Sequence, residues 1–356
     1  MSASIAVDET RLNEFLGQMV GDLGAAANAP LMLLGDRLGL YREIAASGPL
    51  TSADLAARTG TAERFVREWL AAQAAAGYVA YDPAAETYAM SPEQAMVLAE
   101  EDSPVYLAGL FESLYAMMAA EPKIREAFET GNGVGWHEHH PCLFSGTERF
   151  FRTGYRAHLV QEWLPALDGV VEKLERGALV ADIGCGHGAS TIIMAQAFPN
   201  SRFNGSDYHD ASIARAREAA EAAGVTDRVQ FEVERAATYN GSGYDLVTTF
   251  DCLHDMGDPV GAARHVRETL APDGTWMIVE PFANDTLAEN LNPVGKLYYA
   301  ASTMLCTPAS LSQEVGLGLG AQAGETRLRE VVTRGGFGRF RRATATPFNL
   351  ILEARP

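Results

Sequence analysis

Two groups of residues in this chain could do chemistry. The first is Asp182-Ile-Gly184-Cys-Gly186-His-Gly188-Ala-Ser190. Glycines at alternate positions let bare backbone N–H groups come up to a ligand. The apolar run before them, Ala178–Ala181, reads as a buried strand, and Thr191–Ala197 after them reads as a helix. In an open parallel sheet such a turn lies at the carboxyl end of the strand, where ligands bind. The turn is therefore expected to hold a nucleotide-like cofactor. The second group is His254, just past a later strand, and Glu280, at the end of the strand after that. A hydroxyl is a poor nucleophile until a base takes its proton. Histidine is the side chain matched to that transfer near neutral pH, and a carboxylate can orient the ring and stabilise the imidazolium.

These residues need elements to carry them. Ser201–Tyr208 ends a second strand with an acid, Asp207, placed where a carboxylate accepts both ribose hydroxyls of a nucleoside. Val229–Val233, Tyr244–Phe250 and Thr275–Pro281 read as a third, fourth and fifth strand. Helical patterns such as Ser212–Ala220 and Gly261–Leu270 separate them. Strand and helix alternate, which predicts an α/β, Rossmann-like, doubly wound and mostly parallel sheet covered on both faces. Gly184, Gly186 and Ala189 also satisfy the dinucleotide pattern. Asp182 argues against it: a carboxylate beside the turn would repel a pyrophosphate, yet it could accept from an ammonium or sit near a sulfonium.

From Asp182 to Glu280 the chain resembles the class I S-adenosylmethionine-dependent methyltransferases. Leu253-His254-Asp255-Met256-Gly257-Asp258 is similar to the L-H-D-W-x-D box of small-molecule O-methyltransferases, actinobacterial members included. The resemblance implies S-adenosylmethionine as cofactor. It implies a donor site built from Asp182, Gly184, Gly186, Gly188, Asp207, Tyr208, Ala236, Phe250 and Asp251. It also implies methyl transfer to a hydroxyl, phenolic in character, on a small apolar molecule, with His254 as base and Glu280 holding it. Glu325 lies at the offset where the family has a second glutamate. His187 and His209 could line the cofactor. The chain departs from the family in Glu234-Arg235-Ala236 for the usual Gly-Asp-Ala, in Met256 for tryptophan, and in Phe250 where plant members often have lysine.

The elements before residue 178 divide further. Residues 1–100 are expected to form a winged-helix dimerisation domain, 101–177 a helical linker and lid, and 178–356 the cofactor-binding domain, with a helical insertion over about 288–320. From about Ala27 to Gly77 the pattern is helical and amphipathic, with Leu31, Leu34 and Leu38 at helical spacing and Gly39 as a stop. Thr51 and Thr61 open two short helices as caps, and Gly77–Met90 reads as a hairpin wing. The would-be recognition helix carries Glu63, Arg64, Arg67 and Glu68, two acids against two bases, which favours a homodimer over DNA binding.

Residues 131–150 read as a loop, a lid rather than a metal site, since His137, His139, His140 and Cys142 lack the spaced pairs of structural zinc sites. Phe150, Phe151 and Tyr155 open a helix to about Leu174, Leu291–Cys306 reads as a helix roofing a pocket, and the segment from Phe340 supplies two antiparallel strands. The net charge of −18 argues against a nucleic-acid partner. Four scattered cysteines and no long apolar run point to a cytoplasmic protein without a membrane span. The expected partner is a small-molecule methyl acceptor, with no metal. A donor-binding regulator, and N- or C-methylation by proximity, stay open as alternatives.

Overall fold

The computed structural model describes residues 7–356. The chain divides into two compact units, one ending at Tyr115 and one running from Ala116 to Pro356.

In the first unit, α1 (Glu9–Arg37) starts under Asp8, whose carboxylate accepts from the N–H groups of Thr10 and Arg11. An acid at a helix start satisfies orphan donors and complements the dipole. The helical region thus begins well before Ala27. Leu12, Phe15, Leu16, Met19, Val20 and Leu23 recur at helical spacing there but stay exposed. Leu38 caps the end of α1, and Gly39, at φ +70°, turns the chain into α2 (Leu40–Ser47). Then come α3 (Ser52–Thr59), α4 (Glu63–Ala75), the antiparallel pair β1 (Ala80–Asp82) and β2 (Thr87–Ala89), and α5 (Pro92–Leu98). This is the winged helix-turn-helix that the sequence predicts. Thr51 and Asp54 cap α3 reciprocally. At α4 the cap is Ala62, with no side-chain bond, because the Thr61 hydroxyl pairs instead with Thr59 at 2.8 Å. Tyr41, Leu55, Trp69 and Leu70 fill the core, and the Tyr41 hydroxyl donates to Gln73 Oε1 at 2.7 Å. Arg64 and Arg67 pair with Glu68 and Glu63 of their own helix, at 2.6 and 2.7 Å.

The second unit is built on a seven-stranded sheet. Its strands are β3 (Leu179–Ile183), β4 (Arg202–Asp207), β5 (Val229–Val233), β6 (Tyr244–Phe250), β7 (Leu270–Pro281), β8 (Arg339–Ala345) and β9 (Asn349–Arg355). The order is β5-β4-β3-β6-β7-β9-β8. β5 to β7 are parallel, and β9 pairs antiparallel with both β7 and β8. Alternation along the strands splits the core into two layers. Val180 and Phe203 face one layer with Met194 and Ile213; Ala181 and Ile183 face the other with Val266 and Val332.

Two segments differ from the sequence reading. The loop over 131–150 is shorter, because a helix runs from Cys142 to Gly154. Its buried residues Leu143, Gly146, Phe150 and Thr153 lie on one face, a stripe that glycine and threonine hide from a hydrophobicity pattern. It continues as a π-helix, Tyr155–Trp163, and the chain breaks before Val170–Arg176 instead of running on to Leu174. The roofing insertion comprises Pro293–Ala301, a π-helical turn Ser302–Cys306 and Thr307–Leu311. Among the described residues no helix is long and apolar enough to cross a membrane.

Candidate active site

The C-terminal ends of the parallel strands face a cavity of about 810 Å³ within the second unit. Its floor includes Gly184, Cys185, Gly186 and His187 from the turn after β3. Gly184 sits at φ +72°, and a Cβ on it would come within 2.7 Å of Cys252 Sγ. Gly188 sits at φ +78°, with a Cβ position 2.5 Å from Phe231 Cζ. Both backbone angle and space therefore demand glycine. Gly188 is the N-cap of the helix Ala189–Ala197 and does its work under the turn, off the cavity wall.

Asp207, ending β4, accepts from Gly186 N–H at 3.0 Å and His209 N–H at 2.9 Å. Burial pushes its carboxyl up from the usual range, and these N–H bonds work against that. Asp207 and Tyr208 both line the cavity, as do Ala236, Phe250 and Asp251. Asp182 does not. It is 1% exposed and accepts from Ser190, Thr191 and Thr248 hydroxyls at 2.7, 2.6 and 3.0 Å. The expectation that it meets the ligand is corrected: three hydroxyls engage it below the floor, where it ties β3 to the helix and to β6.

The His254 cluster lies at the β6 end. A 3₁₀ turn, Leu253–Asp255, carries it off the strand. Glu280 Oε2 stands 2.6 Å from His254 Nδ1, and Glu280 Oε1 accepts from Leu253 N–H at 2.9 Å. The carboxylate is thus fixed from both sides while buried. The other ring nitrogen, Nε2, lies 3.1 Å from Asp255 Oδ1. His254 is 3% exposed, and Asp255, not the ring itself, lines the cavity. Burial opposes the imidazolium, but the Asp255 and Glu280 carboxylates outweigh it and push the pKa well above the ordinary histidine value. Cys306, on the π-helical turn, brings its thiol within 4.8 Å of His254 and Asp255. Burial pushes that thiol up to about 12, so it stays protonated.

Glu325 is not part of this cluster. It pairs with Arg329 and Arg342, each at 2.7 Å, in the first turn of the helix Gly324–Arg334, and none of these residues lines the cavity. Its offset along the chain matched, but the local ion pairs hold it elsewhere. His187 lies on the cavity wall, whereas His209 caps the helix Asp210–Ala223 and stacks on Phe144 at 4.5 Å. Of the loop histidines, His137 lines the cavity and His139 is buried. Among the described residues, His137, His139, His140 and Cys142 do not converge into one ligand set. Asn349 escaped the sequence reading. It reaches from β9 to Asp251 Oδ1 at 2.9 Å, a contact set by antiparallel register, which no local motif announces.

Comparison with known proteins places the two units. Residues 174–334 match the family described as methyltransferase domain, and residues 26–100 match the Rv2258c-like winged HTH domain. Over 131 residues the chain is 31% identical to 27-O-demethylrifamycin SV methyltransferase of Amycolatopsis mediterranei, covering 35% of this chain and 48% of that protein. It is 32% identical over 119 residues to a ubiquinone biosynthesis O-methyltransferase of Bordetella avium, covering 33% and 46%. The chain thus spans about half the length of these curated relatives. Human N-acetylserotonin methyltransferase, solved in complex with SAM, superposes with a TM-score of 0.67 at 17% identity, covering 100% of this chain and 99% of that one. An O-methyltransferase family protein from Burkholderia thailandensis gives 0.66 at 18% identity, with 99% of each chain covered.

Proposed function

We propose, for a chain whose residues 174–334 form a methyltransferase domain behind a winged helix-turn-helix domain, that it methylates a hydroxyl of a small organic molecule with S-adenosylmethionine as donor. The donor supplies a methyl group already activated on a sulfonium. The residues fit it: the glycine turn lets a ligand come close to the backbone without side chains in the way, and its Gly186 N–H fixes Asp207, which offers a carboxylate to the ribose hydroxyls. Tyr208, Ala236 and Phe250 add contact surface along the same wall.

The chain's remaining task is to align the acceptor and take its proton. His254 is the proposed base. In the transfer the methyl carbon leaves sulfur for the acceptor oxygen, the sulfonium becomes a neutral thioether, and the hydroxyl proton passes to His254 Nε2. Glu280 stabilises the resulting imidazolium through Nδ1. The single observation that carries this reading is the buried Glu280–His254 pair at 2.6 Å beside the cavity that holds the glycine turn. Removing a general base costs about 10²–10⁴-fold in rate. His254→Ala should therefore lose turnover by that factor while donor affinity, measured by calorimetry, stays nearly unchanged.

One observation favours a second reading. Asp255 stands 3.1 Å from the nitrogen that would take the proton, and an acceptor hydroxyl has to displace it. If His254→Ala keeps full activity, an already ionised oxygen, or a nitrogen or carbon acceptor, is methylated by proximity alone. A donor-binding regulator is less well supported, since the α4 arginines pair with glutamates of their own helix.

The proposal extends to assembly and place. The apolar stripe of α1, exposed within its own unit, suits a homodimer. Cys185, Cys252 and Cys306 form no disulfide, which suits a reducing, cytoplasmic setting.

A further inference from the structure

Asp251 follows β6 with a left-handed backbone. Its φ is +51°, in a region that residues other than glycine, asparagine and aspartate seldom adopt. Strain of this kind persists only where the surroundings overdetermine it, and it clusters at functional sites. Three distant segments do the holding. Asp251 N–H donates to Val279 O on β7 at 2.8 Å. The Tyr155 hydroxyl, from the π-helix, donates to Oδ2 at 3.0 Å. Asn349 Nδ2, from β9, donates to Oδ1 at 2.9 Å. Both hydrogen-bond partners of the carboxyl are neutral, and the group forms part of the cavity wall.

The strand order says what belongs beside it. β5, β4, β3 and β6 are neighbours, so their C-terminal ends form a row. Along that row stand Ala236 just past β5, Asp207 at β4, the glycine turn at β3 and Asp251 at β6. A nucleoside with its ribose on Asp207 and its base toward Ala236 crosses the glycine turn with its remaining arm toward β6. In S-adenosylmethionine that arm begins with the sulfonium. The surroundings of Asp251 are set for a cation. Burial, with the Glu280 carboxylate next, holds its carboxyl well above the usual range against the opposing pull of His254 and the Tyr155 hydroxyl, and an arriving positive charge adds to what favours the ionised form.

Resting on the methyltransferase reading, we infer that Asp251 is the charge-sensing residue of the donor site. It holds the sulfonium donor, and it loosens once transfer leaves a neutral thioether. Tyr155 and Asn349 are positioning residues that aim it. One carboxylate would then serve both donor capture and product release.

The experiment compares S-adenosylmethionine, S-adenosylhomocysteine and an analogue with an amine in place of the sulfonium, each titrated calorimetrically into wild type and Asp251→Asn. Asparagine tolerates the left-handed backbone and keeps the side-chain shape. Loss of a charged interaction should weaken the two cationic ligands by about 10–100-fold. The neutral product should change by less than about threefold, a margin well inside one such interaction. Its retained binding also reports that the variant is folded. Asn349→Leu should reproduce the same selectivity more mildly. Equal losses for donor and product would overturn the inference, because Asp251 would then be holding the ammonium that both share. No loss for either would overturn it too. Wild-type protein that binds none of the three would instead sink the methyltransferase reading itself.

Discussion

At the scale of single residues the decisive feature is that His254 stands between two carboxylates, Glu280 at 2.6 Å and Asp255 at 3.1 Å. Burial alone would make this ring a ready base; the two acids reverse that and raise its pKa. A base must be neutral to act, so the rate should climb with pH through a midpoint above the ordinary histidine value. Asp255→Asn removes one of the charges that stabilise the imidazolium. The pKa then falls, the neutral ring persists to lower pH, and the midpoint should move toward acid. Glu280→Gln should shift it the same way but also slow the reaction, since Nδ1 loses the carboxylate that orients the ring. Single-turnover rates against pH, with an acceptor found by screening, provide the measurement. A midpoint that stays put in Asp255→Asn would rule out His254 as the titrating base.

Between residues and molecule stands the turn from β3 into its helix, where the glycines are not equivalent. A Cβ at Gly188 meets Phe231 at 2.5 Å and Ala216 at 3.1 Å, whereas a Cβ at Gly186 meets nothing within 4 Å. Both have positive φ. Alanine at either pays for the left-handed backbone, about 1–2 kcal/mol. Only at Gly188 does a steric clash add to it. Gly188→Ala should lower the melting temperature more than Gly186→Ala. Gly186→Ala should weaken donor binding out of proportion to its stability loss, because Gly186 lines the cavity and its added methyl group would stand in open space there. Melting curves with and without S-adenosylhomocysteine separate the two, and equal effects on both readouts would contradict the division of labour. The elements with strong local signatures were legible in the sequence: five parallel strands, the glycine turn, the Thr51 cap of α3 and the wing. What escaped depends on partners far along the chain. Asp182 looked like a ligand contact because position alone cannot show that Ser190, Thr191 and Thr248 surround it. Glu325 fitted an offset, but Arg329 and Arg342 hold it away from the cavity. Asn349 needed the β7–β9 register, and the Cys142–Gly154 helix needed a packing surface to make sense of a stripe with glycine and threonine in it.

For the whole molecule the open question is what covers α1. Its exposed stripe runs through Leu12, Phe15, Leu16, Met19, Val20 and Leu23, with Val20 at 69% and Leu23 at 62% exposure. Gly17, Gly21 and Gly24 lie in the same stretch with nothing within 4 Å of a Cβ position. Glycines weaken a helix by about 0.5–1 kcal/mol each relative to alanine, so this part of α1 needs packing to persist. The proposed homodimer supplies it with a second α1, and the glycines leave room for close approach. The net charge of −18 on each copy opposes that association. Such repulsion is long-ranged and screened by salt, while apolar burial is not. Two outcomes follow for light scattering at micromolar concentration. Wild type should have a dimer mass, and dimer affinity should rise between low and physiological salt. Replacing Leu16 and Val20 together by Glu puts two charges on each stripe and should give a monomer whose affinity for S-adenosylhomocysteine is unchanged, because the donor site lies in the other unit. A wild-type monomer across that salt range would remove the assembly proposal and leave the methyl-transfer proposal standing.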